Sequence, residues 1–180
     1  MREVTSDSLR SLTLRSPYLI FLGDIQELVD AKTGAGLVQW CPEKVMGQFR
    51  FDDCLVDLGV SDLSIAEAKA RGVKSIVIGV APTGGRFSQR WIQVLVAGAA
   101  AGLDIVSGLH HRLEELPGLV TAAELSGARL VNVRTPVDSL PIGTGDKRSG
   151  RRLLTVGTDC AIGKKYSALA ITQSMKARGV

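Results

Sequence analysis

Short apolar runs punctuated by glycine recur along the chain at close intervals. Tyr18-Leu-Ile-Phe-Leu-Gly23 predicts a buried strand, and Asp24 is placed to cap a helical stretch behind it. Val56 to Val60 predicts a weaker strand. Ser64 and Glu67 have the spacing of a capping box, which predicts a helix from Ser64 through Arg71, closed by Gly72. Lys74-Ser-Ile-Val-Ile-Gly-Val80 is β-branched and apolar, the pattern of a strand covered on both faces. The loop Ala81-Pro-Thr-Gly-Gly85 leads from it to a helix over about 89–101, stopped by Gly102. Leu103 to Gly108 predicts a strand, Leu119 to Ser126 a helix stopped by Gly127, and Arg129 to Val133 another strand.

This alternation needs crossover connections, and so an α/β fold with a parallel sheet and helices on both faces. Pro136 to Gly150 interrupts it with prolines, glycines and charges and reads as a linker. Arg152-Leu-Leu-Thr-Val156 then predicts a fresh strand, Gly157 to Gly163 a loop, and Lys164 to Arg178 a helix. The expected organisation is a Rossmann-like domain over 1–140, then a linker and the first strand-loop-helix of a P-loop NTPase-like domain over 141–180. One such unit cannot bury its own apolar faces, so the sequence is expected to be the front part of a longer protein.

Composition narrows the function classes. Of 180 residues, 45% are hydrophobic and 22% charged, which excludes a disordered chain. Eight aromatic residues are few for a base-stacking platform. The net charge of +4 is unevenly placed. Residues 146–180 hold eight basic and two acidic side chains, against 14 and 16 in the rest. A local anion site fits that distribution better than a nucleic-acid footprint. Three cysteines without metal spacing suit a reducing cytoplasm. The N-terminus has no signal-peptide core and no apolar run is long enough to span a membrane. A small-molecule substrate is expected, with neither nucleic acid nor membrane, no metal site, and self-association left open.

The strongest chemical signal is Gly157-Thr158-Asp159-Cys160-Ala161-Ile162-Gly163-Lys164-Lys165-Tyr166, between a predicted strand and helix. Glycines let consecutive N–H groups converge, the helix N-terminus adds its positive end, and Lys164 brings a point charge for a phosphate. Two lysines at a helix start are unfavourable unless an anion sits there. The loop resembles the G-T-D-x-x-x-G-K-T loop of dethiobiotin synthetase and its relatives. Lys165 stands where those have the Ser/Thr whose hydroxyl meets Mg²⁺, which favours holding a phosphate or pyrophosphate as an anion over ordinary ATP hydrolysis. Asp159 either turns to the substrate or braces the loop, and Cys160 reads as a small loop residue. Lys147, Arg148, Arg151 and Arg152 are either solvated or extend the site to a further phosphate.

In a doubly wound sheet ligands bind at the carboxyl edge. Gly84 and Gly85 sit there, as do His110 and His111, the chain's two histidines. A general base near neutral pH is well served by His, with His110 ahead of His111; the alternative is a surface or capping pair. Trp40, Trp91 and Asp104 read as structural.

Taken in order, several landmarks resemble one family. They are Gly79-Val-Ala-Pro-Thr-Gly-Gly85, Gly102-Leu-Asp-Ile-Val-Ser-Gly-Leu-His110, Val133-Arg134-Thr-Pro136, Gly143-Thr-Gly145, Lys147-Arg148 and Thr155 to Tyr166. The series is similar to the P-loop-containing D-glutamate N-acetyltransferases (DgcN type), over most of the chain from about Ser75. The resemblance implies a Rossmann-like domain before a larger P-loop domain, and acetyl transfer from acetyl-CoA to the amino group of an acidic D-amino acid. The loop over 157–166 would then hold the cofactor, His110 would act as base, and Arg134 or Arg148 would take the substrate carboxylate. The alternatives are a P-loop kinase or ligase that uses ATP and Mg²⁺ on a small carboxylate, and an inactive ligand-binding fragment.

Overall fold

Tyr18–Gly23 forms β1, with all six residues buried. It belongs to a five-stranded, wholly parallel sheet with strand order β2-β1-β3-β4-β5. The computed structural model describes residues 12–81, 87–134, 145–147, 149–159 and 162–179. The other strands are β2 (Val45–Arg50), β3 (Ser75–Ile78), β4 (Asp104–Ser107) and β5 (Leu130–Asn132). Between them run α1 (Lys32–Trp40), α2 (Ile65–Ala70), α3 (Gln89–Ala100) and α4 (Leu119–Ser126). α2 packs on α3 and α3 on α4, while α1 packs against β1 and β3. Right-handed crossovers put α1 on one face and the other three helices on the opposite face. β1 and β3 are largely apolar because both of their faces are covered. Leu19, Ile20, Phe21, Ile76, Ile105 and Leu95 are fully buried between the layers.

The local signals act as expected at several ends. The Ser64 hydroxyl accepts from the Glu67 N–H at 3.2 Å, and the Glu67 carboxylate accepts from the Ser64 N–H at 2.9 Å, a complete capping box on α2. Ser88 caps α3 in the same way through the Trp91 N–H. Trp91 is buried, as is Asp104, which is held by Arg15 and Arg129.

Three expectations are corrected. Val56–Val60 is no strand: the Asp57 carboxylate accepts from the Gly59 N–H at 2.8 Å and turns the chain. The edge strand is instead β2, whose Val-Met-Gly-Gln-Phe-Arg sequence lacks a clean apolar run. Asp24 caps no helix. A 3-10 turn (Leu28–Ala31) precedes α1, and the Asp24 carboxylate accepts from Trp91 Nε1 at 2.8 Å. Arg152–Val156 forms no ladder among the described residues, and Leu153, Leu154 and Val156 are exposed. A strand needs a hydrogen-bonded neighbour, and none is offered to it there.

The chain divides into two units, Met1–Pro136 and Val137–Val180. The second carries α5 (Lys164–Ala177), which buries none of its residues. No helix among the described residues is long and apolar enough to cross a membrane.

Candidate functional site

The strand order places a topological switch point between β1 and β3, since β1 connects outward to β2 and β3 to β4. The crevice at the carboxyl ends beside such a point is where open α/β sheets bind ligands. α1 is drawn tightly over it. The Gly34 N–H donates to the Gly79 carbonyl at 2.8 Å and the Ala81 N–H to the Asp30 carbonyl at 2.8 Å.

A pocket of about 400 Å³ opens at this edge. It is lined by Thr33 of α1, Ile78, Val80 and Ala81 from the end of β3, Gly108, Leu109 and His110 after β4, and Arg134 after β5. Ile78 and Val80 are buried and apolar, while Thr33, His110 and Arg134 are exposed and polar. No carboxylate lines it among the described residues.

Most of the described arginines of this unit are ion-paired. Arg15 and Arg129 pair with Asp104, Arg50 with Asp57 and Asp62, Arg90 with Asp53, and Arg112 with Glu114. Arg134 meets no carboxylate among the described residues, and the His110 imidazole has no hydrogen-bond partner there. A guanidinium that meets no carboxylate among the described residues, at the rim of a pocket, is suited to an anionic ligand.

In the second unit, Gly163 takes φ 96° as the N-cap of α5 and supplies no side-chain cap to the helix's first N–H groups. The Lys164 ammonium folds back onto the Asp159 carbonyl. Lys165 Nζ lies 4.9 Å from the centre of the Tyr166 ring. A Cβ at Gly157 would come within 2.1 Å of Ile162 Cδ1, so the loop closes back on itself and a side chain at 157 would displace the exposed tip of Ile162. The Thr155 hydroxyl donates to the Lys164 carbonyl at 2.9 Å and fastens the segment before the loop to the first turn of α5. A helix start without a side-chain cap, two lysines and a glycine-bounded loop suit a phosphate-bearing group.

Among the residues expected from sequence, the structure brings His110 and Arg134 into one pocket. Gly157, Thr158, Asp159, Ile162, Gly163, Lys164, Lys165 and Tyr166 lie together in the loop and first turn of α5. Gly84, Gly85, Arg148, Cys160 and Ala161 lie outside the described residues. Thr33 was not expected: Lys32-Thr33-Gly34 carries no motif, and only the strand order brings it to the pocket. Of the other cysteines, Cys54 is buried, and burial pushes its thiol pKa up.

The model of a Rossmann-like domain of unknown function, DUF1611_N, matches residues 50–136, and that of its companion P-loop domain, DUF1611_C, matches residues 141–180. Together these span well over half of the chain. The chain belongs to the DUF1611 family. A DUF1611 protein of Anabaena variabilis, solved by crystallography, superposes with a TM-score of 0.74 at 29% identity, covering 92% of this chain and 51% of that one. Two relatives are named D-glutamate N-acetyltransferase. That of Tritonibacter scottomollicae is 45% identical over 167 residues, covering 93% of this chain and 50% of the relative. That of a Pseudoalteromonas species is 35% identical over 169 residues, covering 94% and 51%. The chain thus spans about half the length of the curated relatives it matches.

Proposed function

We propose that this DUF1611 chain belongs to a cytoplasmic N-acetyltransferase that moves an acetyl group from acetyl-CoA to the amino group of an acidic D-amino acid such as D-glutamate. The observation that carries the reading is Arg134 beside His110 in a pocket that no carboxylate lines among the described residues. The names of the two relatives support the chemistry assigned to it.

Arg134 offers two parallel N–H donors to a substrate carboxylate and so fixes the amino acid's orientation. An amino acid is an ammonium ion near neutral pH and attacks nothing until it loses a proton. His110 accepts that proton, leaving a lone pair on nitrogen for the acetyl carbonyl. Ile78, Val80 and Leu109 supply apolar surface for the substrate's methylenes. Gly84 and Gly85 are proposed from the sequence to contact the substrate. Bound acetyl-CoA supplies its acetyl group as a thioester, already activated for acyl transfer. Residues 157–166 hold its pyrophosphate, with Lys164 and Lys165 as counter-charges, and Arg148 adds a further charge for either ligand.

Acetyl-CoA with D-glutamate should release free CoA thiol, followed with a thiol reagent, and L-glutamate should release far less. Tight Mg-ATP binding with no acetyl-CoA binding would overturn the reading in favour of an ATP-dependent kinase or ligase.

A further inference from the structure

The His110 side chain has no partner among the described residues, yet the turn that carries it is pinned on both sides. Before it, the buried Ser107 hydroxyl accepts from the Leu109 N–H at 3.1 Å. The Ser107 carbonyl also accepts from the Val133 N–H at 2.9 Å, tying the end of β4 to the end of β5. After it, buried Leu113 seats the chain in the core, and one side chain from β5 adds three hydrogen bonds. Asn132 Oδ1 accepts from the Leu113 N–H at 3.0 Å, and Asn132 Nδ2 donates to both Glu114 carboxylate oxygens at 2.9 and 2.8 Å. Asn132 stands two residues before Arg134.

We propose that Asn132, with Glu114 as its counterpart, is a positioning residue that sets His110 against Arg134 across the pocket. This rests on the reading of His110 as the base. A single amide spans both ends of the relationship. Its acceptor fixes the backbone leaving the His110 turn, its donor fixes the 3-10 turn Leu113–Glu115, and its own backbone leads directly to Arg134. An amide serves both bonds at once, because its oxygen accepts from the Leu113 N–H while its NH₂ group donates to the Glu114 carboxylate. A base displaced by an ångström loses much of its effect on the rate.

The test is steady-state kinetics on the full-length polypeptide. Asn132→Asp keeps the acceptor for Leu113 but sets a carboxylate against Glu114. It should lower kcat about 10- to 100-fold, with KM for acetyl-CoA within about twofold and the melting temperature little changed. Adding Glu114→Gln to Asn132→Asp restores a donor-acceptor pair in reversed sense and should recover most of kcat. Glu114→Ala, which alters only a part-exposed side chain, should give a smaller loss of kcat and covers the case in which Asn132→Asp does not fold. An unchanged kcat, a loss that follows the melting temperature, or no recovery in the double variant would overturn the proposal. His110→Gln separates the two readings. Its full activity would remove the base assignment, whereas its inactivity beside a fully active Asn132→Asp would remove the positioning role alone.

Discussion

The Gly34 N–H donates to the Gly79 carbonyl at 2.8 Å, joining the start of α1 to the end of β3 without a side chain between them. A Cβ on Gly79 would lie 2.5 Å from Ile20 Cγ2 and 3.0 Å from the Gly34 Cα. A Cβ on Gly34 would lie 2.8 Å from Ile20 Cγ2. This approach keeps α1, and with it Thr33, against the carboxyl ends where the pocket opens.

Gly79→Ala should therefore destabilise the fold by about 1–3 kcal/mol, the cost of forcing a methyl group into a packed core. Gly34→Ala should cost less, because its conflict with Ile20 Cγ2 is looser, 2.8 Å against 2.5 Å, and its nearest backbone atom lies at 3.3 Å against 3.0 Å. Urea unfolding of the two variants checks the order. Equal stability of Gly79→Ala and wild type would show that α1 is free to shift.

Arg134 should behave in the opposite manner. With no ion pair among the described residues to lose, Arg134→Gln should leave the unfolding midpoint nearly unchanged. It should raise the KM for the amino acid about 10- to 100-fold, the worth of a charge-assisted pair at about 1.5–3 kcal/mol. Arg134→Lys should recover part of the affinity but not the bidentate geometry. Initial-rate kinetics with D-glutamate distinguishes the three proteins.

Asp104 sets the acid limb of stability. Burial pushes its carboxyl pKa up, but hydrogen bonds from Arg15 and Arg129 outweigh burial and hold it at about 2. Its folded pKa thus lies below the unfolded value of about 3.9. The unfolded chain takes up the proton first, so the stabilisation is present above about pH 4 and is lost as pH falls toward 2. The full contribution is about 2–3 kcal/mol. Urea midpoints at pH 7, 4 and 3 should fall steeply for wild type and less steeply for Asp104→Asn. Parallel pH profiles would rule out Asp104 as the group responsible.

Much of this was legible because the informative residues obey local rules. Ser64 and Glu67 announce α2 by spacing, and Ile76 to Ile78 announce β3 by unbroken apolarity. His110 and Arg134 each follow a strand, so a parallel sheet already puts them on one edge. β2 was hidden because an edge strand with Gly47 and Gln48 at its centre carries no apolar run. Its Gln48 is nonetheless fully buried, donating to Asp57 at 2.8 Å and accepting from the Leu58 N–H at 2.9 Å. Asn132 and Glu114 were hidden for another reason. They meet across 18 residues, and no local pattern encodes a contact made by sheet register.

The two lysines that open α5 should differ in role. Lys164 folds into the loop onto the Asp159 carbonyl, whereas Lys165 turns toward the Tyr166 ring. If the loop holds the pyrophosphate of acetyl-CoA, Lys164→Ala removes a charge at the ligand. It should weaken acetyl-CoA binding about tenfold, and more at low salt than at high. Lys165→Thr restores the hydroxyl that P-loops use for Mg²⁺. It should weaken acetyl-CoA binding and strengthen Mg-dependent ATP binding. Titration calorimetry of both ligands against both variants reads this directly. Acetyl-CoA affinity unchanged in Lys164→Ala would mean that the loop is not where that cofactor's phosphates sit.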